Sequence, residues 1–239
     1  MWQPGQVIEI QVLEDAEALA KAVADRIANF GRASIEQNGQ FCLAVSGGTT
    51  PSKMLGELAT RPVPWDKVHL FQVDERVAPD GDPSRNLTIL RSVLLDRISL
   101  PAQNLHAMPV TSDDLQAAAV SYGKEMKRVC GEGRGLDLIH LGLGDDGHTA
   151  SWPPGDPIFE ITDRDVAVVG PFNGLRRMTL TPPAVNATRS ILWMVSGEKK
   201  AGVLRRMLEG DPELPASRVR RSGAVVLADR PAAAQGPDD

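Results

Sequence analysis

The segment Leu138-Ile-His-Leu-Gly-Leu-Gly-Asp-Asp-Gly-His-Thr-Ala-Ser151 decides how the rest of the chain is interpreted. It starts as an apolar run and ends in glycines, acids, a histidine and hydroxyls. Such a run predicts a buried strand that delivers a polar loop to the edge of a sheet. Ligands of open α/β sheets bind outside the carboxyl ends of the strands. The segment therefore places a candidate base, His148, beside two candidate orienting acids, Asp145 and Asp146, where a substrate could bind.

Strand-like and helix-like segments alternate on both sides of this segment. The predicted strands are 7–13, 40–45, 67–73, 136–141, 166–169, 177–180, 191–195 and 224–227, and the predicted helices are 15–37, 51–58, 87–95, 112–130 and 198–208. This alternation predicts an α/β fold with a mainly parallel sheet and helices on both faces. No stretch resembles an interdomain linker. Residues 1–229 are therefore expected to form a single domain, and the Pro- and Ala-rich residues 230–239 a disordered tail.

Composition excludes several classes of protein. The 239 residues carry a net charge of −5 with no long Lys/Arg cluster, which argues against nucleic-acid binding. The two isolated cysteines fit neither a disulfide framework nor a zinc site. No apolar run approaches the roughly 18 residues of a membrane span, and Met1 to Gly5 have no signal-peptide character. We therefore expect a soluble, cytoplasmic protein without membrane contact, whose oligomeric state the sequence does not determine.

A second polar loop, Ser46-Gly-Gly-Thr-Thr-Pro51, lies between a predicted buried strand and a predicted helix. Gly47 and Gly48 would let backbone N–H groups approach a ligand closely. The helix N-terminus adds free donors and partial positive charge, and the hydroxyls of the loop add neutral donors. The loop therefore suits a phosphate monoester, although it lacks the ending of a Walker A motif. A simple tight turn with an N-cap is the alternative.

Further charged residues follow other predicted elements. Asp74-Glu-Arg76 comes directly after an apolar strand, so Arg76 could hold a phosphate or a carbonyl oxygen while Asp74 orients it or binds hydroxyls. Asn86 lies further along the same loop. Arg177 precedes a strand and Lys200 opens a helix, so both could converge on the same anion. Taken singly, each charge is also consistent with an ordinary surface position.

Gly142-Leu-Gly-Asp-Asp-Gly147 matches the dinucleotide-binding pattern literally, but two aspartates in the turn would repel a pyrophosphate. The aspartates suit sugar hydroxyls, or the support of His148 as a base. Two carboxylates and a histidine packed into four residues are not a familiar metal-ligand spacing, so no metal is predicted. His69 and His140 lie within strand runs and are interpreted as hydrogen-bonded sheet residues.

Six motifs, taken in order, resemble the 6-phosphogluconolactonase family. That family shares a modified Rossmann-like fold, of the NagB/RpiA/CoA transferase-like type, with glucosamine-6-phosphate deaminase. The resemblance extends roughly from Glu14 to Asp229. The motifs are Ser46-Gly-Gly-Thr-Thr-Pro51, Asp74-Glu-Arg76, Asn86, Leu141-Gly-Leu-Gly-Asp-Asp-Gly-His-Thr-Ala-Ser151, Arg177-Met-Thr-Leu-Thr181 with Asn186, and Gly197-Glu-Lys-Lys-Ala201.

The resemblance implies hydrolysis of 6-phospho-D-glucono-1,5-lactone, the second step of the oxidative pentose phosphate pathway, without a cofactor. His148 would be the general base that activates water, Arg76 would stabilise the oxyanion, and Asp146 would orient His148 or the sugar. Residues 46–50, Arg177 and Lys200 would hold the phosphate. The full implied binding set is Ser46, Gly47, Gly48, Thr49, Thr50, Asp74, Asn86, Gly144, Arg177 and Lys200.

One departure from the family pattern concerns the segment after the histidine motif. The family continues with Leu-Phe-Pro-Gly, whereas this chain has Trp152-Pro-Pro-Gly155, and the added proline puts the shape of the sugar-facing pocket in question. Two alternative functions stay open. A sugar-phosphate isomerase or deaminase of the same superfamily would carry a glutamate where this chain has Pro153. A non-catalytic sugar-phosphate sensor would lose the base, whereas this chain keeps His148.

Overall fold

The computed structural model describes residues 8–234, which contain two sheets and seven α-helices. The strands are β1 Glu9–Leu13, β2 Phe41–Val45, β3 Val68–Gln72, β4 Asp74–Arg76, β5 Leu105–His106, β6 Leu138–Gly142, β7 Val166–Phe172, β8 Leu175–Leu180, β9 Ser190–Val195 and β10 Ala224–Asp229. The helices are α1 Ala16–Asn38, α2 Thr49–Leu58, α3 Asn86–Val93, α4 Leu115–Cys130, α5 Pro182–Ala187, α6 Ala201–Glu209 and α7 Arg230–Ala233. None of the described helices is both long and apolar enough to cross a bilayer.

Seven strands form a parallel sheet in the order β1-β10-β9-β6-β2-β3-β5, which confirms the predicted architecture. Side chains alternate between its two faces, because successive residues of a strand point to opposite sides. Along β6, Ile139 and Leu141 enter one apolar core and Leu138 enters the other. Helices α1, α2 and α3 cover the second core. Because both faces are buried, the central strands are almost entirely apolar.

Helix α1 shows how closely local sequence fixes these elements. The Asp15 carboxylate accepts hydrogen bonds from the amides of Glu17 and Ala18, at 2.9 and 2.8 Å, and so caps the helix. Gly39 ends the helix in the left-handed conformation, with φ of 78°. The helical period of the sequence predicts one apolar face of Leu19, Val23, Ile27 and Phe30. The first three are fully buried and Phe30 is half-buried.

The smaller sheet corrects the sequence interpretation. Strands β4, β8 and β7 pair antiparallel, although the pattern of residues 166–180 did not separate them from the parallel sheet. Residues 74–76, expected to form a loop, are themselves a strand. Val73 joins the two sheets, because its N–H donates to Val45 of β2 and its carbonyl accepts from Leu180 of β8. The chain thus passes from one sheet to the other at a single residue.

The termini differ from the prediction in detail. Residues 230–233 form α7 instead of disordered tail, because Asp229 caps the helix through the amide of Ala232, which is itself buried. Residues 235–239 lie outside the described part of the chain, as does Val7 of the predicted first strand.

Candidate active site

A cavity of about 310 Å³ opens at the carboxyl ends of β2, β6 and β9, which are neighbours in the parallel sheet. Parallel strands deliver their following loops to the same edge, so these three loops converge there. Strands β4 and β8 of the small sheet close the cavity from the side. The lining contains every member of the predicted catalytic and binding set except Asp146: Ser46, Gly47, Gly48, Thr49, Thr50, Asp74, Arg76, Asn86, Gly144, His148, Arg177 and Lys200.

His148 and Asp146 form a hydrogen-bonded pair at the rim of the cavity. The Nδ1 atom of His148 lies 2.5 Å from Oδ1 of Asp146, which also accepts the His148 backbone N–H at 3.1 Å. Partial burial alone would raise the pKa of Asp146, but these hydrogen bonds outweigh it and the pKa is lowered. A Cβ atom on Gly144 would lie 2.1 Å from Nδ1 of His148, so the pair requires a glycine at that position. The structure therefore identifies Asp146 as the partner of His148, which the sequence left open.

Asp145 has a different partner. Its carboxylate lies 2.5 Å from Nζ of Lys200, and the hydrogen bond from the lysine lowers the pKa of Asp145. Asp145 is mostly exposed, whereas the Lys200 side chain is 22% exposed. The two adjacent acids are thus divided between the base and a cation, and with His148 they do not converge on one point. The cation of Lys200 reaches the cavity already paired.

The loop after β2 presents backbone more than side chains. Helix α2 begins at Thr49, with Gly48 as an N-cap that has a φ of 116° and no side-chain cap. The amides of Thr49 and Thr50 therefore have no partner within the helix, and both residues line the cavity. The Ser46 hydroxyl, predicted to be a donor to the ligand, instead donates to the carbonyl of His140 at 2.9 Å. A Cβ atom on Gly47 would lie 1.9 Å from Oδ1 of Asn86, so this position also requires a glycine.

Arg76 and Arg177 stand directly opposite each other on β4 and β8. Residues opposite each other in an antiparallel pair have neighbouring side chains, so two guanidinium groups share one wall of the cavity. Arg76 donates to the carbonyl of Ser84 at 2.6 Å, and the buried Nε atoms of both arginines have no hydrogen-bond partner among the described residues. Burial lowers the pKa of Arg177, Asp74 raises it, and the neighbouring Arg76 lowers it further. Such a pair of like charges favours an anion.

Asp74 and Asn86 are held mainly by other protein groups. Both oxygens of the buried Asp74 carboxylate accept hydrogen bonds, from the Ser151 hydroxyl at 2.6 Å and from Nδ2 of Asn86 at 3.1 Å. Arg177 approaches the same carboxylate at 3.8 Å. Asp74 therefore fixes the side of the cavity, while Oδ1 of Asn86, buried and without a partner among residues 8–234, remains an acceptor.

Glu75 is a structural residue of the site that sequence reasoning missed. Its fully buried carboxylate accepts the backbone amides of Arg76, Asn86 and Leu87 at 2.7–2.8 Å, and Nε2 of Gln72 at 2.9 Å. The carboxylate thus caps the N-terminus of α3 from a neighbouring strand. A cap supplied from 11 residues away has no local sequence signature, because the capping patterns that can be recognised lie within one turn of the helix.

The other histidines divide into two cases. His69 is hydrogen-bonded as predicted, with Nδ1 3.1 Å from Nε2 of His106. His140 is not, since the ring is fully buried and neither nitrogen has a partner among the described residues, which contradicts the prediction. Desolvation lowers the pKa of His140 to about 4. The ring packs in a strand flanked on both sides by apolar strands, where no polar side chain of the described residues reaches it.

The Trp152 segment affects the cavity less than its sequence suggested. The Trp152 side chain is fully buried, its indole N–H donates to the carbonyl of Leu180 at 2.7 Å, and its ring packs edge-on against Phe159. Thr149 and Ala150 face the cavity instead. The departure from the family pattern thus falls on core packing behind the loop.

This arrangement defines a class of α/β protein with a carboxylate-oriented histidine and several cationic and backbone donors around one cavity. A family model described as glucosamine-6-phosphate isomerases/6-phosphogluconolactonase matches residues 14–227. The chain belongs to this family.

Named relatives cover nearly the whole chain. A 6-phosphogluconolactonase of Nostoc sp. is 35% identical over 202 residues, covering 83% of this chain and 84% of that protein. One of Mycobacterium tuberculosis is 34% identical over 242 residues, covering 95% and 98%. The solved structure of a 6-phosphogluconolactonase from Thermotoga maritima superposes with a TM-score of 0.83 at 28% identity, covering 93% of this chain and 99% of that one. The predicted family and fold are therefore confirmed.

Proposed function

We propose that the protein hydrolyses 6-phospho-D-glucono-1,5-lactone to 6-phospho-D-gluconate, in the oxidative pentose phosphate pathway. The observation that carries the proposal is the His148–Asp146 pair, which lies on the rim of a cavity whose lining also includes Arg76, Arg177, Lys200 and the start of α2. The named relatives support the same substrate. The reaction needs a base that activates water and a cation near the carbonyl oxygen, and the cavity lining offers His148 for the first and Arg76 for the second.

His148 is the general base of the proposed reaction. Nδ1 of His148 is hydrogen-bonded to Asp146, which leaves Nε2 as the basic nitrogen. Nε2 takes a proton from water as the water oxygen forms a bond to C1 of the lactone. The carbonyl oxygen becomes an oxyanion, which Arg76 stabilises. The intermediate then collapses with cleavage of the bond between C1 and the ring oxygen, and the imidazolium returns its proton to that oxygen. The new carboxylic acid ionises, so one proton is released for each lactone opened.

The phosphate is held by further groups of the cavity lining. The amides at the start of α2, the hydroxyls of Thr49 and Thr50, and the cations of Arg177 and Lys200 supply its donors. Asp74 positions the arginine wall through Arg177, and Asn86 holds the Asp74 carboxylate in place. Gly47 and Gly144 act through the space they leave, and Gly48 through its positive φ. The Ser46 hydroxyl is used by the protein, so Ser46 contributes through its position in the loop.

No described residue of the site specifically favours the two alternative functions, a deaminase or a non-catalytic sensor. Pro153 stands where a deaminase would carry its glutamate, and proline cannot exchange a proton. A sensor without catalysis would not require the His148–Asp146 pair. That the protein works in the cytoplasm, without nucleic acid, stays a prediction from the sequence.

Proton release from freshly generated 6-phosphogluconolactone, corrected for spontaneous hydrolysis, tests the proposal. Unphosphorylated gluconolactone is measured in parallel at the same concentrations. We expect strong acceleration with the phosphorylated lactone and much weaker acceleration without the phosphate. Folded protein that binds 6-phosphogluconate but does not accelerate hydrolysis would support the sensor and refute the lactonase.

A further inference from the structure

The tip of the β7–β8 hairpin lies next to the cavity without lining it. Phe172 and Leu175 are paired across a two-residue turn, Asn173-Gly174, whose φ angles are 50° and 78°. Two consecutive positive φ values are the signature of a type I′ turn, for which Asn-Gly is the preferred sequence. The turn therefore fixes Phe172 opposite Leu175.

An extra residue in β7 brings this ring onto the face that carries Arg177. Val169 pairs with Arg177 and Phe172 with Leu175, so Gly170 and Pro171 together oppose Arg176, which is a β-bulge. Positions 169 and 172 would face opposite sides of a regular strand, but the bulge returns both to the face of Arg177. Gly170 has a φ of 95°, and a Cβ atom there would lie 2.6 Å from the amide nitrogen of Phe172. The bulge thus requires glycine.

Phe172 contacts two side chains of the site at once. Its ring lies edge-on to the ring of His148, with centroids 5.1 Å apart and an interplanar angle of 80°. The guanidinium carbon of Arg177 lies 4.8 Å from its centroid, over the ring face. An aromatic ring attracts a cation over its face and prefers tilted contacts with other rings. One half-buried side chain therefore touches both the candidate base and a candidate phosphate ligand.

We infer that Phe172 is a positioning residue that holds the His148 ring and the Arg177 guanidinium in their working orientations. The inference rests on the proposed function. Because Phe172 does not line the cavity, it acts only through these two side chains. Among residues 8–234, the ring of His148 has its only hydrogen bond at Nδ1, so a contact against the ring restricts its rotation and keeps Nε2 directed at the water. Arg177 gains a partner for its charge that does not compete with phosphate for its N–H donors.

The test compares Phe172→Leu, which keeps apolar volume without a π system, with Phe172→Tyr, which keeps the ring. Phe159→Leu is the matched control, because Phe159 also contacts an aromatic ring and an arginine, Trp152 and Arg218, but away from the cavity. For Phe172→Leu we expect kcat on both lactones to fall and KM for the phosphorylated lactone to rise, with a combined loss of roughly tenfold in kcat/KM. Phe172→Tyr should restore both parameters to within about twofold, since it keeps both ring contacts.

A second readout does not depend on turnover. The ring protons of His148, assigned by comparison with His148→Ala in a proton–carbon NMR spectrum, should shift in Phe172→Leu, because the ring current of Phe172 is lost. They should stay in place in Phe159→Leu. Unchanged His148 shifts, or Phe172→Leu kinetics equal to wild type, would overturn the inference. An inactive wild type would instead refute the proposed function, and the NMR comparison would still decide the contact.

Discussion

The two sheets meet at one cavity but contribute different chemistry. Strands β2, β6 and β9 of the parallel sheet, buried on both faces, deliver the glycine loop, the His148–Asp146 pair and the Lys200–Asp145 pair. The antiparallel sheet delivers Arg76 and Arg177 opposite each other, next to a half-buried hairpin tip. Proton transfer is thus built on the larger and more buried scaffold, and much of the anion binding on the smaller one. If the two contributions are separable, substitutions of His148 in the larger sheet and of Arg177 in the smaller should affect different kinetic parameters.

The largest expected effect comes from the parallel sheet. Replacing His148 by Ala should lower kcat by about 10²–10⁴-fold, because general-base catalysis contributes that much. Since the base acts on the lactone carbonyl, the loss should be similar for phosphorylated and unphosphorylated lactone, with KM little changed. Steady-state kinetics on both substrates check this. His69→Ala, a histidine outside the cavity, is the control and should keep wild-type kcat; a kcat for His148→Ala within a few-fold of wild type would remove His148 from the role.

A second effect concerns His140, on strand β6 eight residues before His148, and is measured through stability. The folded pKa of His140 is about 4, below its unfolded value near 6.5, so protons bind preferentially to the unfolded chain. The free energy of unfolding should therefore fall by roughly 3 kcal/mol in total as the pH is lowered from 6.5 towards 4. Below pH 4 this group should cause no further loss of stability. Urea unfolding of wild type and His140→Leu at pH 7.5 and pH 4.5 measures the difference.

The His140→Leu variant should lose less stability on acidification than wild type, because a leucine takes up no proton. It should also be at least as stable at pH 7.5, since leucine leaves no unpaired polar atom in the core. His69→Leu serves as the comparison, because His69 is only partly buried and is hydrogen-bonded to His106. Equal acid sensitivity in wild type and His140→Leu would mean that the buried ring has a polar partner.

The elements that could be predicted are those fixed by local pattern. Apolar runs gave six of the seven strands of the parallel sheet, and the first helix, predicted over residues 15–37, runs over Ala16–Asn38 with Asp15 as its N-cap. The antiparallel sheet was not separated, because pairing direction depends on contacts between distant segments. One local signal was available and unused: Asn173-Gly174 is a strong hairpin turn, and it indicates that the flanking strands pair with each other.

The members of the site were predictable for a similar reason. Most are glycines, acids and cations that follow apolar strands, and parallel topology collects such positions at one edge. Their hydrogen-bond partners were not predictable. The Ser46 hydroxyl donates to the carbonyl of His140, 94 residues away in the sequence. Glu75, on β4, caps the N-terminus of α3. Phe172 was missed because a bulge decides on which face of the sheet its side chain lies. A bulge interrupts the regular alternation of side chains from which that face is predicted.

The antiparallel sheet provides the next effect. Replacing Arg177 by Met should cost about 1.5–3 kcal/mol of phosphate binding, the contribution of a hydrogen bond to a charged group. The KM for phosphorylated lactone should then rise roughly 10- to 150-fold, while the kinetics on unphosphorylated lactone change little. Arg176→Met is the matched control, since Arg176 is exposed and outside the cavity lining. An equal loss on both lactones would break the comparison between the sheets, because the arginine would then act at the reacting carbonyl.

The smallest effect separates the paired cation of the parallel sheet from the arginines. Asp145 forms an ion pair with Lys200 in the free protein, so a phosphate that binds Lys200 must compete with this carboxylate. The pair is partly exposed, so its contribution is at most about 1 kcal/mol. Asp145→Asn should therefore lower KM for the phosphorylated lactone by about two- to fivefold and leave the unphosphorylated lactone unaffected. Lys200→Met should raise KM for the phosphorylated lactone, and the double variant should behave like Lys200→Met. A rise of KM in Asp145→Asn would show instead that Asp145 holds Lys200 in the orientation that phosphate needs. The parallel sheet would then orient its cation, Lys200, through a carboxylate, as the antiparallel sheet orients Arg177 through Asp74.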